Sequence, residues 1–356
     1  MSKIPKINRK EHLKKENNLS LSEKVNILLN TKKVKDIKEL LNTFSEKEKL
    51  SIEELFIVIY CVINDFFTSI GGQKALRLSN NNNPKFTDDE IITINLVGQL
   101  SGQNSQSAWF KYVYKNYQDL FPQICQRPQY VKRSFRLQKI TCFIQQYLVH
   151  LTGANCGKEF IIDSFPLELC NMQRLKSSSQ PFEYDGASFG YCAAKKLHYY
   201  GFKCHLVTDL RGIPVFLCVT SAHMSDLRAF EFVISEMFKH KIVNSSTIYL
   251  GDKGYVGEDF RNNIEQLFDI KLVSMQRQYN KNLEEHPINT LIKKSRKLIE
   301  TSINLLAKEL HANETKRRSI KGLSSSLIDK VTAFNMASLL NLLLDQPLLR
   351  IKGFVY

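Results

Sequence analysis

The sequence predicts an α/β fold, a mixed sheet with helices on its faces, set behind an all-helical amino-terminal region. Three observations carry this. Apolar side chains recur at helical spacing up to about residue 153; after Gly157 the apolar runs become short and β-rich; and those runs then alternate with helical segments. With 356 residues and 43% apolar content, the chain is long enough for two domains that each bury a core. The division is expected at 1–153 and 154–345, leaving 346–356 as a tail.

Element by element, Val25, Leu28, Leu29, Val34, Ile37 and Leu41 have helical spacing, and Ser51 caps a helix from Ile52 onward. The tract "LSNNNNPKF" cannot continue a helix, so it reads as a linker; Thr87 and Glu90 form a capping box that opens a helix from Asp88 to about Leu100. Ser107 to Gly153 reads as further helices, broken at Phe121-Pro122 and Arg127-Pro128. "FIIDSFPLELC" is a strand, and "LHYYGFKCHLVTDLRGIPVFLCVTSA" a hairpin turning at Asp209 to Gly212. A helix follows from Asp226 to about His240, then the strand "STIYLGD", the helix "EDFRNNIEQLF", the strand "IKLVSM" and a long helix from Asn289 to His311.

Lys and Arg exceed Asp and Glu by fifteen, a balance that holds polyanions near the surface and makes nucleic acid the leading partner. The basic start has no apolar run behind it, so no secretory signal is read and the cytoplasm is expected. Leu55 to Phe67 is too short to span a bilayer and contains Asn64 and Asp65, so no membrane contact is expected. The eight cysteines contain no C-x-x-C, and Cys192, His198, Cys204 and His205 fit no common zinc spacing, which leaves reduced thiols.

Three acids stand out by position. Asp163 interrupts "FIIDSF", Asp252 ends "IYLGD", and Glu300 lies beside the stripe Ile299, Ile303, Leu306 and Leu310. A carboxylate at the edge of apolar structure needs a partner, because an isolated buried charge is costly. Convergence on a hard cation such as magnesium satisfies all three. Taken singly, Asp163 has Lys195 or Lys196 as a partner, Asp252 can cap the following turn, and Glu300 can pair with Arg296 or Asn304.

In their order these acids and elements resemble the ribonuclease-H-like core of DDE transposases. "GFKCHLVTDLRGIP", "TSAHMSD" and "YLGDKGY" are similar to bacterial insertion-sequence transposases, and "LFIVIYCVINDFF", "FTDDEIITINLVG", "FKYVYKNYQDLFPQI" and "YVKRSFRLQKI" resemble the amino-terminal region of the insertion-sequence family 982 enzymes. The likeness covers roughly residues 50 to 345. It implies that Asp163, Asp252 and Glu300 are the catalytic, metal-binding triad, holding two magnesium ions for which manganese can substitute. It implies as well double-stranded DNA as partner, at the terminal inverted repeats and at the target, and a homodimer bridging two ends. Arg296 stands four before Glu300 as in related enzymes, whereas the usual tyrosine position holds Lys293 and a lysine falls at Lys308 rather than at Ala307; Glu309 and Glu284 are the alternatives for the third acid.

Around the triad, Lys253 is either a phosphate binder or a solvated lysine. His223 and His205 are candidates for supporting the site from behind, and Asp226 is expected to cap its helix. Tyr255 is expected to pack on the sheet. Lys132, Arg133, Arg136 and Lys139 share one helix face, and Lys316, Arg317, Arg318 and Lys321 form a second basic cluster; both suit DNA backbone phosphates. Between Ser107 and Leu148 a plain bundle is preferred over a helix-turn-helix. A nuclease that cuts without joining, and a DNA-binding derivative without catalysis, stand as alternatives to the transposase.

Overall fold

The computed structural model describes residues 37–39, 41, 50–72, 84–170, 182, 185–192, 196–242, 245–255, 257–274, 287–314, 317 and 319–351. Most of the helical repeat expected before residue 42, the asparagine tract, Glu284, Lys316 and Arg318 lie outside these residues, as does the side chain of Lys253.

Helix α1 (Ile52–Ser69) starts where Ser51 Oγ accepts the Glu54 N–H at 3.2 Å and the Glu54 carboxylate accepts the Ser51 N–H at 2.7 Å. Each side chain thus satisfies a donor that the helix itself leaves unpaired. Helix α2 (Asp88–Leu100) opens in the same way, the Glu90 carboxylate accepting from the Thr87 backbone. Three more helices follow: α3 (Gln106–Asn116), α4 (Arg127–Arg136) and α5 (Gln138–Leu151). Pro128 opens α4 rather than merely breaking the chain, since in the first turn its missing N–H has no helical partner to lose. Ten residues, 117–126, separate α3 from α4 and Leu137 alone separates α4 from α5, so neither junction has the short turn of about 3–4 residues that a helix-turn-helix needs. A buried polar chain pins α4 to α2: Tyr130 donates to Asn95 Oδ1 at 2.5 Å, and Asn95 Nδ2 donates to Ser134 Oγ at 2.8 Å.

The second half holds six strands: β1 (Glu159–Cys170), β2 (Ser188–Cys192), β3 (Leu197–Asp209), β4 (Pro214–Ser221), β5 (Thr247–Gly251) and β6 (Ile270–Ser274). Helix α6 (Asp226–Lys239) separates β4 from β5, and α7 (Glu258–Phe268) separates β5 from β6; α8 (Pro287–Asn304) runs on into a π turn, Leu305–Glu309, and α9 (Ile320–Leu343) comes last. In space the order is β4, β3, β1, β5, β6, with β3 antiparallel to both β4 and β1 and with β5 parallel to both β1 and β6. Three antiparallel strands followed by two parallel ones is the ribonuclease-H-like arrangement. Strand β2 pairs with the first part of β3, on the edge that β4 uses further along; the sequence reading missed it because Gly190 sits at its centre and glycine is depleted in strands.

Alternation along β1 divides the core. Ile161, Phe165 and Leu167 face one layer, with α1, α2, α5, α8 and α9, whereas Phe160 and Ile162 face a second layer with α6 and α7. Helix α9 was not predicted either. Nearly every residue from Leu323 to Leu343 is buried, polar ones such as Thr332, Asn335 and Ser338 included, so there is no polar face to impose a helical period on the sequence. It packs on α5 and α2 as well as on β4, and one apolar core therefore runs without interruption from the amino-terminal helices to the sheet.

Candidate active site

The parallel register of β1 and β5 sets Ile161 beside Leu250. Two residues further along each strand stand Asp163 and Asp252, on the face toward which Ile161 and Leu250 point, by the two-residue period of a strand. Both are half-buried. Asp163 Oδ1 accepts the Ser164 N–H at 2.8 Å, and Asp252 Oδ1 accepts the Gly254 N–H at 2.7 Å. Burial, and then the neighbouring Asp252 carboxylate, push the Asp163 carboxyl up to about 7, against the opposing pull of the Ser164 amide and the Arg296 guanidinium. Two acids so placed repel each other when both are ionised, and a cation between them relieves that repulsion.

Helix α8 packs across β1, β3 and β5. Its inner residues Ile299 and Ser302 are fully buried, and Ser302 Oγ donates to Gly212 O at 2.6 Å in the hairpin turn. This bond fixes the helix against the end of the β3–β4 hairpin. Arg296 and Glu300, one turn apart, pair at 2.8 Å, with Glu300 about half exposed. The structure thus brings Asp163 and Asp252 together, and sets Glu300 on the adjoining helix, paired with Arg296, whose charge is felt by Asp163. Among the described residues no three acid, histidine or cysteine side chains gather closely enough to enclose an ion. The donor set nonetheless suits magnesium, which is held by one or two carboxylates and takes its remaining oxygens from water and substrate phosphate.

A fourth acid, Asp226, was expected to cap its helix and does not. Ser225, not Asp226, is the cap of α6, accepting from the Arg228 N–H at 3.5 Å. Asp226 turns inward: its Oδ1 accepts from Ser164 Oγ at 2.9 Å and from Lys203 Nζ at 3.3 Å, and Lys203 also donates to Met224 O at 3.0 Å. Its Oδ2 lies against Gly254, where an added Cβ would stand 2.9 Å from Asp226 Oδ2 and 3.0 Å from Asp252 Oδ1. Asp226 and Asp252 therefore both border the space where a side chain at residue 254 would go, and Asp252 alone bonds the glycine. The motif "AHMSD" held the signal, since only one of two adjacent capping residues can cap the helix, which frees the other.

Behind the sheet, His205 is fully buried, its Nε2 paired with Thr220 Oγ1 at 2.9 Å. Burial drives its imidazole down to about 4, so it is neutral at pH 7. Tyr255 is buried against Gly251 and Phe230, as expected of a packing residue. His223 is exposed and held at Nδ1 by Ser221 Oγ at 2.9 Å and Ser188 Oγ at 3.0 Å.

Of the basic residues, Lys132 and Arg136 are exposed on α4. Arg133 is not free for a ligand: it pairs with Asp88, donates to Phe86 O at 2.6 Å and lies over the Phe86 ring. Its neighbours on the helix face point outward; Arg133 fastens α4 to the start of α2. Arg317 acts on the buried carboxyl of Asp329 in α9.

Residues 153–320 match the protein family described as a transposase DDE domain. This segment is similar to a transposase DDE domain. The match takes in Asp163, Asp252 and Glu300 and ends where α9 begins, and it supports a DDE transposase. Among solved structures, the piggyBac transposase synaptic complex with hairpin DNA, seen by cryo-electron microscopy, is 10% identical, over 92% of this chain and 79% of that one, with a TM-score of 0.42. No curated protein matches the sequence. No helix among the described residues is long and apolar enough to cross a membrane.

Proposed function

We propose that the protein is a metal-dependent DNA transposase that cuts phosphodiester bonds at the ends of an insertion sequence and joins the freed 3′-hydroxyls to target DNA. The observation that carries this is the adjacency of Asp163 and Asp252 on neighbouring parallel strands, inside the segment that matches the DDE domain. These two aspartates, with Glu300 reaching from α8, would hold divalent cations, magnesium in the first place. Such cations supply Lewis-acid activation of the attacking oxygen and charge neutralisation on the leaving one.

The chain's own residues supply position. The Gly254 N–H holds Asp252, and Asp226, anchored by Ser164 and Lys203, lies against that turn; Ser302 fixes α8, and with it Glu300 and Arg296. Arg296, a guanidinium at the rim, suits a phosphate oxygen of the incoming strand. In the first step water attacks the phosphorus at the element's end, one P–O bond forms, another breaks, and the departing oxygen leaves as a 3′-hydroxyl. In the second step that hydroxyl attacks a target phosphodiester, again exchanging one P–O bond for another, so joining needs no external energy source.

Lys132 and Arg136 on α4 and Lys139 in the first turn of α5 suit the backbone of the terminal repeats, and Lys316, Arg317, Arg318 and Lys253 suit further DNA phosphates. In this reading residues 1–153 hold the ends, 154–345 cut and join, and two copies meet to bridge the two ends.

The test is a plasmid carrying the DNA that flanks the coding sequence on both sides, incubated with wild type or Asp252→Asn, with magnesium or with a chelator. Metal-dependent cuts at the ends and joined products, both lost in Asp252→Asn, are expected. Cutting without joining would reassign the protein to the nucleases, and metal-dependent cutting that persists in Asp252→Asn would remove this site from the reaction.

A further inference from the structure

Helix α4 has two unlike faces. Inward, Tyr130, Ser134 and Leu137 are buried, and that side is tied down at several points: by the polar chain through Asn95, by Gln106 Nε2, which donates to Ser134 Oγ at 3.1 Å, and by Arg133 at the start of α2. Arg127, the first residue of α4, donates to Ser107 Oγ at 2.9 Å in the first turn of α3. The helix is therefore anchored to α2 and α3 through side chains, with no need of a helix-turn-helix to aim it.

Outward it carries Val131, Lys132, Phe135 and Arg136, all exposed, and Lys139 is exposed in the first turn of α5. Residues three and four apart share a helix face, so Val131 and Phe135 stand among the cations on a single surface. Phe135 leaves 45% of its surface to solvent and Val131 38%. No acidic residue occurs between Asp119 and Glu159, so no carboxylate along this stretch of chain answers the positive charge.

An apolar protein partner would cover these cations without neutralising them, at a desolvation cost, whereas a phosphate backbone alone offers nothing to a phenyl ring and an isopropyl group. The major groove of duplex DNA answers both: phosphates line its edges and thymine methyls lie on its floor. An α-helix, about 10–12 Å across, fits a major groove about 12 Å wide and not a minor groove of about 6 Å. The major groove of an RNA duplex is too narrow for side chains to read.

We propose that α4 lies in the major groove of duplex DNA, with Val131 and Phe135 against thymine methyls and Lys132, Arg136 and Lys139 on the phosphates that flank them. The inference rests on the transposase reading for which DNA is read, and on α4 itself for how. Base readout is thereby added to the backbone contacts of these cations: selectivity sits in two apolar side chains and affinity in three charged ones.

The test needs no cutting. A pool of short duplexes randomised at their central base pairs is bound to the full-length protein in chelator, and the retained DNA is amplified and sequenced. Wild type should enrich one sequence that contains thymine. Replacing those thymines by uracil removes only the C5 methyls and leaves the protein untouched; binding should weaken about tenfold, as for two buried methyl groups. Val131→Ala/Phe135→Ala should bind the thymine duplex more weakly by the same factor and lose nothing further on the uracil duplex, because the two changes delete the same contacts. Lys132→Gln/Arg136→Gln should weaken every duplex alike and make the log–log dependence of affinity on salt shallower by about two. No enriched sequence, a uracil duplex bound as tightly as its thymine parent, losses that add, or a salt slope unmoved by the cation variant overturns the proposal. Enrichment of a sequence absent from the DNA that flanks the coding sequence, together with a wild type that never cuts the plasmid ends, would leave the α4 contact standing and sink the transposase reading; plasmid cutting with no enrichment would do the reverse.

Discussion

Gly254→Ala isolates the positioning of Asp252 from the folding of the chain. The new Cβ would lie 2.9 Å from Asp226 Oδ2 and 3.0 Å from Asp252 Oδ1, against about 3.3–3.6 Å for a comfortable carbon–oxygen contact. About half an ångström is missing on each side. Asp226 is anchored by Ser164 and Lys203, whereas Asp252 is held at this turn by the Gly254 N–H, so Asp252 gives way. A catalytic group displaced by about 1 Å can cost about 100-fold in rate, and a shift of half that size or more should lower end cleavage about 10- to 100-fold. Stability should hardly change: Gly254 is exposed and its φ lies outside the left-handed region, and alanine at a compatible site gains about 0.4–1 kcal/mol from the unfolded chain. The assay is single-turnover cleavage of end DNA, with urea denaturation of the same preparations. A wild-type rate, or a rate loss matched by a loss of folded protein, would refute the reasoning.

Other perturbations follow from the same contacts. His205 titrates near 4 when folded and near 6.5 when unfolded, so the unfolded chain binds more protons between these values. Its contribution to stability is present above pH 6.5 and is lost as the pH falls through 4, amounting to about 3 kcal/mol. Urea midpoints measured from pH 4 to 7 for wild type and His205→Gln should therefore converge on the acid side, and parallel curves would contradict this. Lys330 Nζ donates to Gln99 Oε1 at 3.1 Å and to Leu310 O, beside the buried Asp329. Lys330→Ala should cost about 1–3 kcal/mol by leaving these buried acceptors unpaired, read as a drop in melting temperature; a shift within experimental error would mean that water replaces the ammonium. Ser302→Ala should cost about 1–3 kcal/mol by leaving the buried Gly212 carbonyl unpaired, and unchanged chemical denaturation would show that α8 is held by apolar packing alone.

What could be read from the sequence was what repeats or stands out locally. Ser51, and Thr87 with Glu90, set two helix starts, and the run before Asp252 set β5, because caps and apolar runs act within a few residues. The adjacency of Asp163 and Asp252 followed from resemblance and from strand order, and is now explained by the parallel pairing of β1 with β5. What escaped depends on distant partners. The inward turn of Asp226 is decided by Ser164 and Lys203 on other strands, the occupation of Arg133 by Asp88 on another helix, and the burial of α9 by everything packed around it. No local pattern encodes these.

Helix α9 has a consequence for the making of the protein. It is the last described element to leave the ribosome, yet it lies between the earliest helices and the sheet and completes the core of both. Contacts so far apart in the chain carry the loop-closure cost that slows folding. Until α9 arrives, α2 and α5 expose the apolar surface it will cover, so a nascent chain stalled before residue 320 is a substrate for chaperones and proteases. The core behind Asp163 and Asp252 therefore closes only when α9 arrives.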